Sequence, residues 1–207
     1  MKTILIALMV WLIMTGCWKV SEVTCTNIND PKTCVTADKV ANINEIHASA
    51  VDALNALKNK DTTKLWQVIS KDWVRFSAYS NVNTSSDIVM ELADFKDAMT
   101  SKKTYTRWSQ DGSGDPITMT FDEYRARYIY NGNYVTEGTA YINTKVQRGN
   151  TINNVYDVYT WDTIIEYYIP GKSKLYENMD RKSLTLIFDK ENGARKLKGI
   201  VHGERTI

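Results

Sequence analysis

The 207-residue chain sets 26 Lys and Arg against 24 Asp and Glu, a formal net charge of +2, and is 43% hydrophobic with 10 Gly, 3 Pro, 3 Cys and 2 His. So even a balance lacks both the basic excess of nucleic-acid binders and an acidic tail, so no nucleic-acid partner is expected. Twelve Tyr and six Trp argue against disorder, and the length suits one domain with appendages and a sizeable core.

Residues 1–16 begin with Lys2, run apolar from Ile4 to Met14 and close on Thr15-Gly16 before Cys17. The pattern reads as a secretion signal, and the apolar run is short of the roughly 20 residues that span a bilayer. Thr-Gly-Cys resembles a bacterial lipobox, with Met14 where that pattern usually has Leu, and it makes Cys17 the lipidation candidate. The alternative is an ordinary signal peptide with Cys17 lost or free. Three cysteines are awkward for an exported protein until one is assigned to lipid. Cys25 and Cys34 then remain, enclosing the polar segment 26–33 with its Asn29-Asp30-Pro31 turn. A disulfide suits an oxidising compartment and would stabilise by about 2–3 kcal/mol in the chain-entropy model; two free thiols are the alternative. Without residues 1–16 the chain has 25 basic residues, one fewer than the full count because Lys2 is gone, against 24 acidic. Membrane attachment must then come from acyl chains such as palmitate. Trp18 follows Cys17 where an inner-membrane retention signal would have Asp, so the outer membrane is favoured in a Gram-negative host.

A tether is expected over 17–38 and a single domain over 39–207. Val40, Ile43, Ile46, Ala50, Val51, Leu54 and Leu57 recur at helical steps, and Lys58-Asn59-Lys60 ends that helix. Asp61 caps a second helix carrying Leu65, Trp66 and Ile69. Trp73 to Tyr79 alternates like a strand, and 81–86 reads as a polar, mobile loop. A helix over Leu92 to Met99, a strand over Thr104 to Trp108 and a turn at Asp111-Gly112-Ser113-Gly114-Asp115-Pro116 follow. Thr120-Phe121-Asp122-Glu123 is a capping box opening a helix to about Tyr130, stopped by Asn131-Gly132-Asn133. Strands are expected over Val135 to Val146, Thr160 to Ile169 and Ser183 to Asp189, with Asn192-Gly193 turning a hairpin into Ala194 to Glu204.

Helices first and long antiparallel strands last give an α+β domain with N-terminal helices on a curved sheet. Val74-Arg75-Phe76-Ser77-Ala78-Tyr79, the Asp111 to Ile117 turn with Thr120 to Tyr124, the segment Gly149 to Asn154, Glu166-Tyr167-Tyr168-Ile169-Pro170-Gly171, and Gly199-Ile200-Val201-His202 with Thr206-Ile207 are similar to exported bacterial lipoproteins of unassigned activity. Those resemble the nuclear transport factor 2-like superfamily, and the likeness covers most of 42–207. It implies a cystatin-like cone: a strongly curved antiparallel sheet wrapping a long helix, with a cavity at the wide end, and a homodimer formed through the sheet. Some members are isomerases, cyclases or dehydratases, and many others only bind proteins or ligands.

Arg75 and Tyr79 share one face by period two, and Glu166 and Tyr168 share another. If those faces meet, Arg75, Tyr79, Glu166 and His202 form a ligand pocket for an acidic or aromatic molecule; otherwise Arg75 and Glu166 are a structural or solvated ion pair. His202 beside Glu204 has the chemistry of a general base, yet a lone strand histidine is more often structural, so no catalytic residue is assigned. His47 reads as a helix-flank residue. The aromatic set Tyr105, Trp108, Tyr124, Tyr128, Trp161 and Tyr167 reads as core. Two isolated His and the three Cys have no metal-ligand spacing, so neither a metal nor another cofactor is expected. The function expected is a lipid-anchored envelope domain, non-enzymatic, binding a protein partner or small ligand; the alternative is a cone-fold small-molecule enzyme.

Overall fold

The computed structural model describes residues 23–25, 34–110, 113–148, 151–173 and 179–204. The signal segment 1–16, Cys17, the segment 26–33, Asp111-Gly112, Gly149-Asn150 and Thr206-Ile207 lie outside the described residues. The chain divides into two units, Met1–Glu45 and Ile46–Ile207. In the first, β1 (Val23–Cys25) pairs antiparallel with β2 (Cys34–Thr36), and the register sets Cys25 opposite Cys34. Helix α1 (Ala37–Asn59) follows directly.

In the second unit, the later turns of α1 bury Ile46, Ala50, Ala53, Leu54, Ala56 and Leu57. Three alanines in that stripe leave room for bulky neighbours. Ile43, on the same stripe, is 37% exposed. Lys60 at φ 53° turns the chain out of the helix while Asp61 N–H donates to Ala56 O. Asp61 then accepts from Lys64 N–H at 3.0 Å, capping α2 (Thr62–Val68).

Six strands form the main sheet in the order β4-β3-β10-β9-β8-β7. These are β3 (Val74–Ser77), β4 (Ile88–Met90), β7 (Thr139–Ile142), β8 (Thr163–Ile169), β9 (Lys182–Glu191) and β10 (Ala194–Glu204). Helix α3 (Leu92–Thr100) follows β4, and β5 (Thr104–Ser109) with β6 (Pro116–Thr120) makes a separate hairpin. Thr120 opens α4 (Phe121–Tyr124): its Oγ1 accepts from Glu123 N–H and Glu123 Oε2 accepts from Thr120 N–H at 2.7 Å, a complete capping box. The helix then widens into a π turn, Arg125–Ile129, closed by Tyr130 N–H donating to Arg125 O at 2.8 Å. One extra residue in the turn lets Tyr124, Tyr128 and Ile129 all be buried. Asn192 and Gly193, both at positive φ, make the tight turn between β9 and β10.

The domain is thus α+β, as the element order implied, with two corrections to the sheet. It is mixed, because β3 runs parallel to β10, pairing Arg75 with Gly199 and Ser77 with Val201. It is also not strongly curled: among the described residues its only register shift falls between Leu197 and Gly199, and strong coiling needs repeated bulges.

Local departures have tertiary causes. The expected strand from Val135 begins with a helical turn, α5 (Tyr134–Glu137), because Tyr134 is fully buried and its hydroxyl donates to Asn131 Oδ1 at 2.5 Å. Gly138 crosses that turn so closely that a Cβ would sit 2.5 Å from Tyr134 O. The loop read as mobile is tied down: Val82 N–H donates to Asn154 Oδ1 at 2.7 Å and Asn154 Nδ2 donates to Val82 O at 2.9 Å. Of the aromatic set, Tyr124, Tyr128 and Tyr167 are core and Tyr105 packs against it, whereas Trp161 is 96% exposed and the Trp108 side chain lies outside the described residues. No described helix is long and apolar enough to cross a membrane.

Phe76 is the hub of the aromatic core, 5.5 Å from Phe95, 5.1 Å from Phe121 and 6.2 Å from Tyr124 between ring centroids. Phe76→Ala removes one partner from each contact and is expected to cost about 3–5 kcal/mol of unfolding free energy, read by urea denaturation.

Candidate functional site

Strands β8, β9 and β10 are covered on both faces, and period two decides which side chain meets which cover. The inner face carries Ile165, Tyr167, Leu184, Leu186, Phe188 and Ile200, which share one core with Ile46, Leu54 and Phe95 from the helices. The outer face carries Ile164, Ile187 and Val201, covered by Val82, Val155 and Tyr159. Val155 opens and Tyr159 follows the one-turn helix α6 (Val155–Val158) in the long connection between β7 and β8. The registers Tyr167↔Leu184↔His202 and Glu166↔Thr185↔Val201 assign His202 to the inner face and Glu166 to the outer. The two residues therefore stand on opposite sides of the sheet.

His202 is sealed. Its Nδ1, 3.2 Å from Ala78 O, can only donate, so Nε2 is the acceptor, taking a hydrogen bond from Asn131 Nδ2 at 3.0 Å. Asn131 is itself fixed by Tyr134 OH on Oδ1 and by Lys182 Nζ on its carbonyl at 2.7 Å. Burial pushes His202 down to about 4, so the ring is neutral at ordinary pH. Glu204, the carboxylate expected to serve it, instead receives both guanidinium nitrogens of Arg127 at 2.9 and 2.6 Å. His47 hydrogen-bonds Tyr167 OH through Nδ1 at 3.0 Å on the flank of α1.

Arg75 and Tyr79 also part company. Strand β3 ends at Ser77, so alternation no longer governs Tyr79, whose ring meets Tyr128 edge-on at 6.0 Å on the inner side. Arg75 stays on the outer side with Nη1 donating to Thr84 O at 3.3 Å, while its Nε and the Tyr159 hydroxyl are buried without a hydrogen bond of good geometry. Asp87 lies in this neighbourhood, accepting from Ser77 Oγ at 2.5 Å and Asn83 N–H at 3.1 Å. Burial outweighs these donors and the Arg75 charge and lifts Asp87 to about 6. The four residues grouped by sequence thus occupy three separate environments.

Glu166 anchors the most site-like of them. Arg148 grips it through Nε at 3.2 Å and Nη2 at 2.8 Å, and the guanidinium carbon stands 3.6 Å from the Tyr168 ring centroid and 4.9 Å from that of Tyr141. A bidentate, ring-stacked pair is rigid and its charges cancel. Beside it lies a half-open cleft of about 20 Å³, lined among others by Ser80, Thr151, Arg181, Ser183 and Gly203. That space exceeds the roughly 10–15 Å³ that one water needs. Sequence reasoning missed Arg148, Arg181, Ser183 and Gly203. The available signal was Ser183 and Thr185, hydroxyls at alternate positions of a strand otherwise made of Leu, Ile and Phe, on the same face as Glu166. Among the described residues no three His, Cys, Asp or Glu side chains gather as a metal-binding group. No family model, curated protein or solved structure matches the chain.

His202 and Asp87 give stability a pH dependence of opposite sign. An unfolded histidine binds its proton near 6.5, so as pH falls from there to about 4 the unfolded chain gains a proton that folded His202 refuses, and roughly 3 kcal/mol of stability is lost. Asp87 is raised from 3.8 to about 6, so its contribution is full below the lower value and lost as pH rises through the upper. The two slopes oppose each other between pH 4 and 6. In His202→Gln, stability at pH 4–6 is expected to fall with rising pH; in Asp87→Asn it is expected to rise. Melting temperature against pH for the two variants reads both signs.

Proposed function

We propose that the chain is an exported lipoprotein of the cell envelope, anchored by acyl chains on Cys17, whose α+β domain binds a small ligand in the outer-face cleft without transforming it. The observation that carries the binding reading is how the acid–base groups are used. His202 is enclosed and neutral, Glu166 is held by Arg148, and Glu204 is held by Arg127. Beyond those pairs, the cleft is lined by Val146, Gly203, the Tyr168 ring, hydroxyls of Ser80, Thr151 and Ser183, the Asn153 amide and cations, and it offers no further carboxylate or imidazole. The anchor reading rests on the apolar run ending in Thr15-Gly16-Cys17. On the same reading the domain is a flattened relative of the nuclear transport factor 2-like cones, supported by the long α1 ahead of the antiparallel run β8, β9 and β10. The register that sets Cys25 opposite Cys34 supports a disulfide there, since opposed strand residues lie within bridging distance.

Full-length protein expressed in a bacterium is expected to partition into the detergent phase of a cloud-point extraction and to incorporate labelled palmitate. Cys17→Ser should abolish both, and labelling of that variant equal to the parent would overturn the anchor. Mass spectrometry before and after reduction should show the gain of two hydrogens in the peptides holding Cys25 and Cys34.

A further inference from the structure

We infer that the outer-face cleft at Gly203 receives an oxyanion group, phosphate or carboxylate, carried by a small ligand. This rests on the binding reading above and gives the ligand its chemical class. Gly203 sits within β10 with no positive φ to require it, yet a Cβ there would fall well inside contact distance of Ser183 Oγ and 2.8 Å from Ser80 Oγ. The two hydroxyls thus converge on the space that the missing side chain leaves. Ser183 is only 7% exposed and lines the cleft, and its hydroxyl makes no hydrogen bond among the described residues. A hydroxyl that faces the cleft with no hydrogen-bond partner among the described residues can donate to a bound acceptor.

The charges around the notch fix the sign of the acceptor. Glu166 is neutralised by Arg148 and Glu204 by Arg127, which leaves Arg181 as the lining cation on the outer face, while Lys182 shares the inner face with His202. Among the described residues Arg181 has no carboxylate within ion-pair distance. Arg181 Nη2 donates to two neutral oxygens, Arg148 O at 3.0 Å and Thr151 Oγ1 at 3.4 Å, and Lys182 Nζ donates to Asn131 O at 2.7 Å. Two hydroxyl donors beside a guanidinium that, among the described residues, bonds only neutral oxygens favour an oxyanion over a neutral sugar or an amine. The cleft of about 20 Å³ takes a single water-sized group, one oxygen of such an oxyanion, and, being half-open, leaves the rest of the ligand in solvent.

The test is isothermal titration of the full chain in mild non-ionic detergent with inorganic phosphate and with succinate, using glucose as the neutral control. Saturable binding of at least one anion is expected. It should weaken by at least about tenfold in Ser183→Ala and in Arg181→Gln, the effect of losing one charge-assisted hydrogen bond. Gly203→Ala, which fills the notch, should abolish it; should that variant fail to fold, the other two keep the comparison intact. Heats that do not saturate for either anion, or equal affinity in the parent, Ser183→Ala and Arg181→Gln, overturn the inference. Saturable glucose binding without anion binding also overturns it while leaving the ligand-binding reading in place, whereas the loss of both removes the two together.

Discussion

One side-chain amide holds the outer layer of the domain together. Asn154 takes the N–H of Val82 on Oδ1 and returns its Nδ2 to the carbonyl of the same residue, so it bonds Val82 as a neighbouring strand would. Two connections, one of them holding the single turn α6, thereby behave as one cover. Beneath them Val82, Val155 and Tyr159 close over Ile164, Ile187 and Val201, apolar residues that face away from the helices. Removing that cover would expose the second face of three central strands, and a sheet with two wet faces cannot retain so many aliphatic residues. Gly199 belongs to the same arrangement: the Tyr159 hydroxyl lies 3.1 Å from where its Cβ would be. The cleft sits at the edge of this layer, where the cover ends and polar strand residues reach solvent.

The inner face solves a different problem, the placement of a polar ring in an apolar core. His202 is accommodated because both nitrogens are used, and both partners are positioned by irregular backbone: Ala78 just past the end of β3 and Asn131 just past the π turn. From Tyr134 through Asn131 and His202 to Ala78 runs a continuous line of hydrogen bonds, which ties three segments distant in sequence. A ring so enclosed is a fastener. Its neutrality follows from the cost of burying charge, and the carboxylate two residues away cannot offset that cost while Arg127 holds it.

Most of the element order could be read from the sequence, because it depends on local chemistry. The Asp61 cap, the Thr120 to Glu123 capping box and the Asn192-Gly193 turn act over three or four residues, and each forms as read. The departures all depend on distant partners. A helical turn replaces the start of a strand because Tyr134 is drawn into the core beside residues far along the chain. The parallel pairing of β3 with β10 joins residues more than a hundred positions apart, and nothing in either strand's pattern announces it. Strand β4 is three residues long, too short for periodicity to distinguish it from the approach to α3.

The candidate site repeats that division. Period two correctly set Glu166 and Tyr168 on one face, but the same rule applied to Arg75 and Tyr79 needed β3 to continue two residues further than it does. Alternation can say which residues within a strand face together and is silent about where the strand ends. It is equally silent about which face receives a long connection, and here that connection supplies Arg148 to Glu166 and Thr151 to Arg181. An arginine committed to a carboxylate and two tyrosine rings is fixed in place, whereas one committed to a carbonyl and a hydroxyl still carries its full charge into the cleft. The difference between these two arginines, set only by what the fold brings beside each, is what turns a polar edge of the sheet into a place with a preferred sign of ligand.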